Sequence, residues 1–155
     1  MAKHPKDMTP QEREEFHANA ESKMLTYKYA TPEPNGRPKQ NTWFVRQPKM
    51  QVLVQCVRSG GENNLHYHTK SETNWFVLRG RAHFYGVGDK LLADIGPNEG
   101  VYLPGGVRYR FNKVGDEDLE ILQVVSVEDD GVGESERINL EAHKEWMVEG
   151  HLTKY

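Results

Sequence analysis

Two histidines one residue apart, His66 and His68 in "NNLHYHTKSETNWFVLRG", are the strongest chemical signal in the chain. On a β-strand, residues i and i+2 point to the same face, so the two imidazoles aim together. Two adjacent nitrogen donors on one strand are half of a tetrahedral or octahedral metal site. Glu72 lies four residues past His68, across the turn-like "TKS", and supplies a third ligand if the turn returns it to the same face. Arg79 and His83 follow in the next runs. Turned inward, an arginine would grip a carboxylate or phosphate bidentately and a histidine would serve as acid or base; turned outward, both are strand-end or hydrogen-bonded surface groups.

The elements that must position these groups are short. From Trp43 onward, runs such as "TWFVRQ", "MQVLVQCVR", "NWFVLRG", "RAHFYG", "GVYLP" and "LEILQVVSV" are rich in β-branched or aromatic residues, and glycine, proline, asparagine or aspartate separates most of them. That pattern predicts an all-β sandwich or barrel. Before it, Thr9-Pro10 with Glu12, Glu14 and Glu15 predicts a short helix, and "TPEPNGRPKQ" a connecting segment. After it, "INLEAHKEWMVEG" has Ile138, Leu140, His143 and Met147 near one helical face and Gly150 as a stop. The expected organisation is an N-terminal arm and linker over residues 1–40, a barrel over 41–128 and a C-terminal extension over 129–155.

Composition narrows the function classes. The chain has 155 residues, a net charge of −3 with the histidines neutral, and 28% charged residues. There is no basic footprint for nucleic acid, no polybasic membrane patch and no apolar run of spanning length. The charged start lacks the apolar core of a signal peptide, so a cytoplasmic location is the expectation. Cys56 is the single cysteine, which excludes an intrachain disulfide and a cysteine-based zinc site.

The spacing from Gly60 through His66, His68 and Glu72 to Gly80 resembles the first motif of the cupin superfamily: glycine, five residues, H-x-H, three or four residues, glutamate, six residues, glycine. "GPNEGVYLPGGVRYRFNKVGDEDLEILQVV" resembles the second, with Pro104 and Gly106 in the P-x-G places. The resemblance spans about Trp43 to Glu128. It implies an all-β cupin double-stranded β-helix (jelly-roll) barrel, with short helical N- and C-terminal extensions, that encloses one small ligand. It also implies a divalent metal (iron, manganese, zinc or nickel) on His66, His68 and Glu72, and a homodimer in which the arm and "TWFVRQ" join a neighbour's sheet.

Two departures touch that site. Seven residues, not six, separate Glu72 from Gly80, so a regular strand would turn Thr73, Trp75 and Val77 inward and Glu72 outward, whereas a bulge or an adjusted turn would bring Glu72 in. The second-motif histidine is replaced by Tyr109, a metal ligand only as phenolate and otherwise a hydrogen-bond donor or general acid. Tyr109 and Phe111 should share one face, with Arg110 and Asn112 on the other. Thr73, Trp75, His83 and Arg79 are the candidate pocket residues. Three functions remain open. One is a metal-dependent enzyme acting on a small organic acid or aromatic compound, by resemblance to gentisate-type ring-cleaving cupins. Another is a metal-free isomerase or epimerase like the nucleotide-sugar ketoisomerase cupins, in which His66 or His68 and Tyr109 shuttle protons and Arg58, Arg79 or Arg108 holds phosphate. The third is a non-catalytic small-molecule-binding barrel.

Overall fold

The structure, a computed structural model, describes residues 3–128, 137–142 and 144. Helix α1 (Pro10–Glu21) starts at a reciprocal cap: the Thr9 hydroxyl accepts from the Glu12 N–H, and the Glu12 carboxylate accepts from the Thr9 N–H. None of its residues is buried, so capping and not packing defines it. Ten strands follow among the described residues: β1 (Lys39–Arg46), β2 (Met50–Val57), β3 (His66–His68), β4 (Ser71–Arg79), β5 (Ala82–Tyr85), β6 (Leu91–Ile95), β7 (Gly100–Leu103), β8 (Arg110–Lys113), β9 (Leu119–Val127) and β10 (Arg137–Asn139).

Five strands form one sheet in the order β1-β2-β9-β4-β7. The β10-β3 pair and the β6-β5-β8 sheet are joined where His66 and Tyr109 exchange two backbone hydrogen bonds of 2.9 and 3.0 Å. The second layer therefore runs β10-β3-β8-β5-β6, and every pairing is antiparallel. Trp75, Val77, Leu119 and Ile121 of the first layer pack on Phe84, Tyr109 and Phe111 of the second. This is an all-β jelly roll.

Its interior changes character along the strands. The inward residues of β4 run Ser71, Thr73, Trp75, Val77, and those of β9 run Leu119, Ile121, Gln123, Val125. One end is an apolar core and the other is polar. The register of β4 on β9 is unbroken from Ser71 to Val77, with one irregularity between Val77 and Arg79. The turn that follows needs Gly80: its φ is +80°, and a Cβ there would lie 2.6 Å from the Asp118 carbonyl oxygen.

The C-terminal segment departs from expectation. Ile138, the expected first residue of a helix, pairs with Tyr67 in β10, and Leu140, Glu141, Ala142 and Lys144 are not helical. Edge pairing decides this. The β3 strand is only three residues long and would expose a bare edge; Arg137–Asn139 covers it, and the Leu140 N–H adds a bond to the Leu65 carbonyl. The rest of that expected helix, with His143, Met147, Gly150 and also His151, lies outside the described residues.

Candidate functional site

The polar end of the barrel is a cavity between the two layers. His66 and His68 enter it from β3, with ring centroids 5.2 Å apart. Tyr109, buried, lies against them, its ring centroid 4.6 Å from that of His66. Across the cavity, Thr73 and Trp75 of β4 and Gln51, Gln55 and Gln123 of β2 and β9 form the opposite wall. Lys39 of β1 and Arg137 of β10, each from the edge strand of its layer, complete the lining.

The local chain holds these groups by hydrogen bonds running through the "NNLHYH" segment. His66 Nδ1 sits 2.7 Å from the Asn64 carbonyl. A carbonyl only accepts, so Nδ1 bears the proton and Nε2 keeps its lone pair. The Asn64 amide donates to Asn139 Oδ1 and to the Glu141 carbonyl, both at 3.0 Å, and its oxygen accepts from the Arg137 guanidinium. Arg137 Nε donates to Asn139 Oδ1 at 3.0 Å. Asn63 Oδ1 accepts from the Phe111 N–H at 2.8 Å, tying the segment to β8. The C-terminal strand thus places Arg137 and braces His66 at once.

Electrostatics follow from burial and from these two cations. Desolvation first, then the Arg137 charge, drives His66 far below its ordinary pKa and His68 down to about 4. Both imidazoles are neutral at physiological pH. Lys39 falls to about 7, again through burial first and Arg137 second.

The expected metal ligand set does not assemble. Glu72 is exposed on the outer face of β4, where its carboxylate holds Tyr102 as a neutral phenol, while Thr73 lines the cavity. The irregularity at Leu78 lies beyond Glu72 in the chain, so it turns Arg79 outward instead of bringing Glu72 in. Arg79 meets Glu120 at 3.2 Å and Glu117 at 3.4 Å outside the barrel. His83 is on the outer face as well, between the Tyr85 hydroxyl at 3.0 Å and Asp94 at 3.1 Å. Arg58 pairs with Asp118 at 3.4 Å; Arg108, His4 and His17 are exposed. Arg110 and Asn112 bond to each other at 2.8 Å, with Phe111 buried in the core between them.

Among the described residues, no three His, Cys, Asp or Glu side chains come together to hold a metal. The cavity wall, among the described residues, includes no carboxylate and does include the amino group of Lys39 and the guanidinium of Arg137. Among the described residues, two imidazoles with only amides and hydroxyls to add do not make up the donor set of a divalent cation. Sequence reasoning missed Lys39, Gln51, Gln55, Gln123 and Arg137. Gln55 between Val54 and Cys56, and Gln123 between Leu122 and Val124, were the available signal, because an amide inside an otherwise apolar run needs a partner. Lys39 and Arg137 gave none.

Fold and site together define a jelly-roll barrel with a polar, cation-lined cavity at one end. Residues 53–125 match the family model of the cupin domain, so this stretch of the chain is a cupin domain. A protein with a double-stranded β-helix domain from Klebsiella pneumoniae is 17% identical, with 79% of this chain and 95% of that one covered and a TM-score of 0.62. An RmlC-like cupin from Desulfovibrio desulfuricans is 19% identical over 66% of this chain and 96% of its own, with a TM-score of 0.55. Streptomyces PAC13, solved with uridine, is 15% identical over 76% and 92%, with a TM-score of 0.52. At these identities the likeness is one of fold. No curated protein matches the chain in sequence at a significant level. No helix among the described residues is long and apolar enough to cross a membrane.

Proposed function

We propose that this cupin binds a small organic anion in the barrel and moves a proton next to a carbonyl, as an isomerase or epimerase does. The observation behind the reading is the wall itself: Lys39 and Arg137 line the cavity beside two neutral imidazoles and a buried phenol. The cations hold the anionic group. His66, with its lone pair fixed at Nε2, takes a proton from the carbon beside the carbonyl, and the Tyr109 hydroxyl gives one to the carbonyl oxygen, forming an enediol. The reverse transfers at the neighbouring carbon complete an isomerisation with no co-reactant. An anion that offsets Lys39 and Arg137 also relieves the charge holding His66 down, so binding strengthens the base. That a likeness of fold extends to a Streptomyces protein solved with uridine supports a barrel able to enclose a small polar molecule.

The test is deuterium exchange by NMR in heavy water, with a panel of hydroxy and keto acids and sugar phosphates. Arg137→Gln should lose binding. Tyr109→Phe should keep binding and lose exchange at the carbon beside the carbonyl. Exchange undiminished in Tyr109→Phe would refute the proton-transfer role. Metal analysis decides the rival reading: about one tightly held iron, manganese, zinc or nickel per chain, lost in His66→Ala, would establish a metal enzyme and overturn this one.

A further inference from the structure

Among the described residues, two buried polar atoms on the cavity wall have no hydrogen-bond partner: the Trp75 indole Nε1–H, a donor, and Gln55 Oε1, an acceptor. Both residues are almost wholly buried, at 1% and 2% exposure. They belong to one strip on the inner face of the first layer. Gln55 Nε2 donates to Gln123 Oε1 at 2.7 Å, and Gln123 lies directly opposite Trp75 in the β4–β9 pairing. Buried polar atoms of this kind are satisfied by water or by ligand, and a ligand that displaces the water must replace its hydrogen bonds.

The chemistry of the gap names the group that fits. A hydroxyl donates and accepts, so it can give its hydrogen to Gln55 Oε1 and take one from the Trp75 indole. A carboxylate cannot donate to Gln55, and an alkyl or aryl group serves neither atom. The exclusion of a carboxylate holds for the orientation in the structure, with Gln55 Nε2 bonded to Gln123 Oε1; the hydroxyl fits either orientation of the two glutamine amides. Turning them exchanges oxygen for nitrogen, but one amide atom of Gln55 still lies outside the Gln55–Gln123 bond, and a hydroxyl pairs with either kind.

We propose that the ligand is a polyhydroxylated acid, a sugar acid or sugar phosphate, whose anionic group meets Lys39 and Arg137 and whose hydroxyls are read by Gln55 and Trp75. This rests on the anion-binding reading given above and deepens it. Trp75 and Gln55 are then specificity-determining residues for the hydroxyls, apart from the groups that move the proton.

The experiment is calorimetric titration with four probes in two matched pairs: gluconate against hexanoate, and glucose 6-phosphate against phenyl phosphate. In the parent protein the hydroxylated member of at least one pair should bind tenfold or more tighter than its bare partner. Trp75→Phe and Gln55→Met should each weaken that member about tenfold and leave the bare probe within about twofold; Gln55→Met keeps the test open if the tryptophan variant fails to fold. If the bare probes bind as tightly as the hydroxylated ones and Arg137→Gln abolishes all binding, the anion site stands and the hydroxyl assignment falls. If no probe binds saturably, or binding ignores Arg137→Gln, both readings fall together.

Discussion

Lys39 should make anion binding depend on pH where a lysine ordinarily does not titrate. Its burial, with the Arg137 charge added, brings the pKa from 10.5 to about 7. An anion needs the ammonium form. In the free protein about 90% of Lys39 is charged at pH 6 and about 1% at pH 9. Above pH 7 a bound anion must draw the missing proton from solution, so affinity falls by about tenfold per pH unit until the pKa of the complex is reached. From pH 6 to pH 9 the expected loss is up to ~100-fold, or about 2.7 kcal/mol. Three other groups facing the cavity do not titrate in this window: His68 of β3 titrates near 4, His66 lower still, and Arg137 of β10 stays charged. The assay is calorimetric titration of the tightest-binding carboxylate at pH 6, 7, 8 and 9, on the parent and on Lys39→Met. The parent should show the decline; Lys39→Met should bind weakly at every pH with no slope. A flat profile in the parent, or a slope that persists in Lys39→Met, would refute the argument that Lys39 supplies the titrating cation.

The same lysine has a cost in the empty protein. Folding lowers its pKa, so the unfolded chain binds more protons between about pH 7 and 10.5, and stability rises with pH across that window. Lys39→Met should therefore raise the melting temperature at pH 6 by about 2–4 °C, for ~1 kcal/mol at a half-buried site, and by less at pH 10, as differential scanning calorimetry can check. Glu72→Gln should leave ligand affinity unchanged, whereas Thr73→Val, on the cavity side of the same strand, should alter it; the opposite pattern in titrations would mean that β4 is turned the other way. Gly80→Ala should destabilise by ~2 kcal/mol or more in urea melts, because the left-handed φ and the Asp118 carbonyl both oppose a Cβ.

The barrel was legible in the sequence because its signal is local. Alternation with period two, turn residues between short runs, and the spacing of two glycine-bounded motifs each lie within a few residues of one another, and the β4 and β9 stretches show them clearly. The inward aim of His66 and His68 follows from the same rule. What alternation alone left open was Glu72 against Thr73. It took the pairing of β4 on β9, with its break placed after Val77, to turn Thr73 in and Arg79 out. The cations lay beyond local reasoning altogether. Lys39 sits in a proline-rich approach and Arg137 just before a segment whose periodicity favoured a helix, and neither has a nearby residue that marks it as a ligand group. They meet because β1 and β10 are the edge strands of two facing layers, and that sheet order is fixed by burial summed over the whole core, from Trp75 and Phe111 to Ile121. The sequence by itself determined the fold and the histidine pair; only the tertiary structure decided the charge of the cavity, because charge at a site depends on which distant strands become neighbours.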